Sequence, residues 1–193
     1  MQRHLTEVDY QRASADLLCD VNAIKAVCNI EAPRGFFNPD GTPVILFERH
    51  YFHRLTDGLY SKTHPSISNP KGGGYGKYSE QHRKLQLATE LDREAALQSC
   101  SWGGFQIMGA NYRKAGFQTL QAFVNAMYAG AEEHLDAFVA FIRADRRLVA
   151  AIRDHDWHTF AEIYNGPGQD SSPGVIHDYD FRIAQEFDRL QSA

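Results

Sequence analysis

The chain has 193 residues, 43% of them apolar, with a formal charge of −4 and an isoelectric point near 6.1. That length fits one domain, taken as residues 1–193, and the mean hydropathy of −0.45 is that of an ordinary globular protein. The acidic balance excludes a nucleic-acid binder built on a basic stripe, and with no polybasic handle and no apolar run long enough to span a bilayer, stable membrane association is not expected either.

The N-terminus, Met1-Gln2-Arg3-His4-Leu5-Thr6-Glu7, has no apolar h-region or small-residue cleavage site, so the protein is expected to be made and kept in a cytoplasm. Thr6-Glu7-Val8-Asp9 reads as a capping box that opens a helical region. Leu17, Leu18, Val21, Ile24, Val27 and Cys28 then keep helical spacing up to Glu31. The three cysteines, Cys19, Cys28 and Cys100, have no CxxC spacing and fit reduced, buried thiols.

Glu31 closes this helix and runs into Ala32-Pro33-Arg34-Gly35-Phe36-Phe37. A carboxylate there faces the negative end of the helix dipole, and the nearby rings deprive its charged form of water. Both effects favour the protonated acid, which is what cleavage of a glycosidic bond requires as the leaving oxygen takes a proton. A solvated surface glutamate is the competing reading.

Asn38-Pro39-Asp40-Gly41 signals a turn and Val44-Ile45-Leu46-Phe47 a short strand, predicting a small β-hairpin after the first long helix. Residues 48–56 look helical. Residues 57–77, rich in Gly, Pro, Ser and Asn, read as a long surface loop of the kind that forms a lid or a binding wall. The second half is nearly all helix by periodicity: 79–91, 93–98, a run from the Thr119 cap to 143 with a break near Gly130, 147–154, 157–164 and 179–190. The class is α+β, predominantly α.

Four segments carry chemistry in order: Asn29-Ile30-Glu31; Ile45-Leu46-Phe47-Glu48-Arg49-His50; Ser101-Trp102-Gly103-Gly104-Phe105-Gln106-Ile107-Met108-Gly109; and Ile163-Tyr164-Asn165-Gly166-Pro167-Gly168. This order resembles the lysozyme-like superfamily. Together with the 71–76 glycine loop and Leu91-Asp92-Arg93-Glu94-Ala95-Ala96-Leu97, it resembles more closely the N-acetylmuramidase family found as the catalytic domain of phage endolysins, over about residues 15–190. The resemblance implies a lysozyme-like domain that hydrolyses the β-1,4 bond between N-acetylmuramic acid and N-acetylglucosamine in peptidoglycan, with Glu31 as the acid. No cofactor and a monomer are expected, and the absence of a signal suggests release to the periplasm or wall through a membrane lesion made by a separate protein. The family commonly has Ser after that Glu, and here Ala32 offers no hydroxyl.

Other residues keep more than one reading each. Gly103 and Gly104 let the backbone approach a sugar, and Gln106 offers its amide to an acetamido group, to the acid, or to a buried backbone group. Tyr164 either orients Glu31, touches the sugar beside Asn165, or packs. Tyr75, Trp102 and Phe105 suit sugar stacking or core. Glu48 is either a second carboxylate in the cleft or a structural partner of Arg49, His50 or a loop backbone. Asp40 and Asp57 read as a turn former and a helix-end residue. His50/His53 and His155/His158 stand at i, i+3 without a His-Glu-x-x-His order, so no metal is expected. A lytic transglycosylase on the same fold and a non-catalytic glycan-binding module are the competing functions.

Overall fold

A computed structural model describes residues 2–165 and 175–192. The first helix, α1 (Glu7–Leu17), begins with the expected capping box: Thr6 Oγ1 accepts from Asp9 N, and Asp9 accepts from Thr6 N at 2.7 Å. Leu18 takes the left-handed conformation and ends it. Asp20 caps α2 (Val21–Glu31), which buries Ala23, Ile24, Ala26, Val27 and Cys28. These small and branched side chains let α2 sit between α1 and the C-terminal helix α10 (Val175–Gln191). Ala32 N still bonds Cys28 O at 2.8 Å, and Pro33 then stops the helix.

The turn at 38–41 forms as expected, with Gly41 N on Asn38 O at 2.9 Å, but the local hairpin is only the bridge between Phe37 and Pro43. Pro43 has no N–H to extend a ladder. The strand β1 (Ile45–Phe47) instead pairs antiparallel with β2 (Cys100–Trp102), and β2 pairs with β3 (Ile107–Met108), giving a three-stranded sheet in the order β1-β2-β3. Residues 100–108, which lie between the predicted helices, thus form two short strands joined by a 3-10 turn at Gly103–Phe105.

From β1 the chain enters α3 (Arg49–Leu55). The stretch 57–77 has no helix or strand, yet its first part is anchored: Ile67 and Ser68 are buried, and His53, Ser61 and Ser68 form a hydrogen-bonded chain at 2.7 and 2.9 Å. A 3-10 turn (Tyr78–Glu80) leads into α4 (Gln81–Leu91), which lies on β1, and α5 (Arg93–Gln98) follows under an Asp92 cap. Thr119 caps α6 (Leu120–Ala129), Gly130 breaks the run, and α7 (Ala131–Arg143) crosses the core with Leu135, Phe138 and Ile142 buried. Finally α8 (Arg146–Asp154) packs on α9 (Trp157–Tyr164), and α10 packs on both α9 and α2. That last packing fixes what surrounds Glu31.

Candidate active site

Glu31, the last residue of α2, is half-buried between α2 and α10. Burial pushes its carboxyl up to about 7, against the smaller opposing effects of a hydrogen bond from Tyr179 and the charge of Arg182. Loss of hydration of the charged form thus outweighs both stabilising contacts. The Tyr179 hydroxyl donates to Oε1, so the proton of the neutral acid belongs on Oε2. Tyr179 also supplies the donor that Ala32 cannot. Its own phenol is pushed well above the ordinary range, first by burial and then by the adjacent Glu31, so it remains a donor wherever Glu31 titrates.

Tyr164 does not hold the acid. Its hydroxyl donates to Phe105 O at 2.6 Å, and its ring stacks on Phe160 with centroids 5.1 Å apart. It braces the loop 103–106 against α9 and lies close enough to Glu31 for that charge to raise its phenol, although burial is the larger cause. Tyr179, which stands in this role instead, sits in the last helix, and nothing local in the sequence marks it.

The loop 103–106 is built from below. Gly104 N donates to His134 Nδ1 at 3.1 Å, and His134 Nε2, 2.8 Å from Met127 O, carries the ring proton. Burial pushes this imidazole down to about 4, so it is neutral at physiological pH. A Cβ on Gly104 would come within 2.3 Å of the Phe36 ring, and one on Gly103, at φ +69°, within 2.5 Å of His134. Both glycines are buried. The close approach they permit is to Phe36 and His134, not to a sugar as the sequence suggested. Gln106 closes the turn in the left-handed region at φ 48°, with its Nε2 on Gly103 O at 2.7 Å. Its amide nitrogen therefore satisfies a backbone carbonyl, while among the described residues its Oε1 accepts no hydrogen bond.

Trp102 and Phe105 are each 1% exposed. Trp102 donates to Leu97 O at 3.1 Å and meets Phe123 edge-on, and Phe105 stacks on Phe138 at 4.4 Å. Neither ring can stack on a sugar, and both belong to the core. Tyr75 is half-buried on the glycine loop, its carbonyl gripped by Gln81 Nε2 at 2.7 Å. Gln81, fully buried, also accepts from Phe47 N at 3.0 Å and so ties that loop to β1. Asn165 is exposed at the end of α9, and Gly166-Pro167-Gly168 lie outside the described residues. Glu48 is the N-cap residue just before α3, its N–H on Ser99 O at 2.8 Å and its Oε2 3.2 Å from His50 Nδ1. Of the two readings of Glu48, the partnership with His50 is the one seen directly.

Asp40 caps its own turn through Thr42 at 2.9 Å, and Asp57 follows α3 at φ 50°.

A carboxyl raised to about 7 at a helix end, hydrogen-bonded by a tyrosine, on a helix packed against a Gly-Gly-Phe-Gln turn beside a small sheet, is the arrangement of a lysozyme-like glycoside hydrolase. The N-acetylmuramidase family model matches residues 20–191, and the chain belongs to that family. The crystal structure of the Burkholderia AP3 phage endolysin is similar at a TM-score of 0.85 and 39% identity, covering 99% of this chain and 73% of that one. No curated protein matches the sequence. The protein is a peptidoglycan hydrolase.

Proposed function

We propose that this hydrolase is an endolysin of the lysozyme type, cleaving the β-1,4 bond from N-acetylmuramic acid to N-acetylglucosamine with Glu31 as general acid. The observation that carries the reading is the half-buried carboxyl of Glu31, raised to about 7, held at Oε1 by Tyr179 and with no hydrogen bond to Oε2 among the described residues. Oε2 hands its proton to the bridging oxygen as the glycosidic bond breaks. Negative charge then develops on Glu31, where the Tyr179 hydrogen bond and the Arg182 charge stabilise it. Water completes the reaction at the anomeric carbon. Gln106 Oε1 and Asn165 are suited to the acetamido groups of the strand, since the first is an open acceptor beside the turn and the second is exposed at the end of α9. Glu48, held against His50, is the second carboxylate to be tested.

Digestion of purified peptidoglycan by wild type, Glu31→Gln and Glu48→Gln, read by mass spectrometry of the muropeptides, tests this. Reducing N-acetylmuramic acid ends from wild type and none from Glu31→Gln support it. Reducing N-acetylglucosamine ends would refute the bond assignment, and anhydro ends, lighter by one water, would make the enzyme a transglycosylase.

A further inference from the structure

Arg34 lies three residues beyond Glu31, in the exposed turn that leaves α2. Its guanidinium carbon sits 4.1 Å from the centroid of the Tyr78 ring, a close cation-π stack. Tyr78 opens the 3-10 turn before α4, and α4 lies on β1. The stack therefore joins the helical wall carrying the acid to the wall built on the sheet.

Other arginines of the chain are engaged: Arg12, Arg147 and Arg189 with carboxylates, Arg49 and Arg153 with backbone carbonyls. Among the described residues Arg34 has neither a carboxylate partner nor a hydrogen bond. Tyr78 remains 47% exposed, and the space where a Cβ on Gly35 would stand is open. A guanidinium held by its face leaves its N–H edges for a planar anion, which is the geometry of carboxylate recognition. In a peptidoglycan strand only the muramoyl residues bear carboxylates, on the lactyl group or on the peptide attached to it.

We propose that Arg34, stacked on Tyr78, is a specificity residue that binds the carboxylate of the muramoyl side arm and so separates muramic acid strands from an uncharged N-acetylglucosamine polymer. The inference rests on the muramidase reading. Its test is binding in the Glu31→Gln background, measured by calorimetry with three tetrasaccharides: one carrying stem peptides, one stripped by an amidase to the free lactyl carboxylate, and chitotetraose. Adding Arg34→Ala is expected to weaken a carboxylate-bearing probe about tenfold, the loss of one charged hydrogen-bonded contact, and to change chitotetraose by less than about twofold. Loss with the stem-bearing probe assigns the peptide carboxylates; loss confined to the stripped probe assigns the lactyl group. Arg34→Lys, which keeps the charge without the flat fork, should recover only part. Equal loss on chitotetraose, no loss on either carboxylate-bearing probe, or no binding of any probe overturns the proposal. Failure of the hydrolase reading is separate and shows as no reducing ends released by wild type.

Discussion

Replacing Glu31 with Gln should abolish lysis and at the same time stabilise the fold, by an amount that depends on pH. The folded-state value is raised from 4.5 to about 7, so the native protein holds a proton that the unfolded chain has released across that window. Ionisation therefore opposes folding: the effect is absent below the unfolded value, grows as pH rises and is complete above the folded one. At ~1.4 kcal/mol per unit the shift corresponds to about 3 kcal/mol at pH 8. Gln keeps an oxygen for the Tyr179 hydroxyl and removes only the ionisation. Urea unfolding of both proteins from pH 4 to 8 should give a difference rising from near zero to about 3 kcal/mol in favour of Glu31→Gln, or roughly 6–12 °C in Tm. The wild-type curve alone should be nearly flat between pH 4.5 and 6.5, because His134 contributes the opposite slope. Its folded value is lowered from 6.5 to about 4, so the stability it confers is present above 6.5 and lost as pH falls through 4. The Gln variant should expose that slope. A difference that does not change with pH, or a wild type more stable than the variant at pH 8, refutes the reasoning.

Tyr179→Phe removes the hydrogen bond that favours ionised Glu31, so the alkaline limb of the pH–rate profile should move upward and kcat should fall by roughly tenfold. A profile unmoved on its alkaline side contradicts this. His134→Ala leaves the Gly104 N–H unsatisfied under Phe36 and opens a cavity, which should lower stability by about 2–4 kcal/mol in urea titrations and loosen the 103–106 turn. Gly104→Ala forces a methyl against the Phe36 ring and should lower stability by about 1–3 kcal/mol with a parallel loss of activity. Trp102→Phe should leave KM unchanged while reducing Tm, because that ring is core and loses its bond to Leu97 O.

Features set by neighbouring residues were legible in the sequence. The Thr6–Asp9 box, the Thr119 cap, the break at Gly130 and the helix end at Glu31 are each fixed within a turn of chain. What was not legible depends on residues far apart. The strands β2 and β3 are three and two residues long and exist because Cys100–Trp102 meets Ile45–Phe47, so no period could declare them. The acid's partner is Tyr179 because α10 folds back on α2, and Tyr164, the candidate nearer the motif, is drawn to Phe105 O. The glycines at 103 and 104 signalled a close approach correctly, but a sequence does not say whether ligand or protein fills the space. Burial of Trp102 and Phe105 was hidden for the same reason: an aromatic ring in a glycine-rich motif suits a cleft and a core equally well.

The central claim is that Glu31 keeps its proton close to neutral pH, and NMR titration of side-chain 13C-labelled glutamate reads this directly. One Glu carboxyl should titrate with a midpoint near 7 and vanish from the spectrum of Glu31→Gln. If the signal lost in that variant titrates instead near 4.5, in the ordinary glutamate range, Glu31 is no general acid and the account fails.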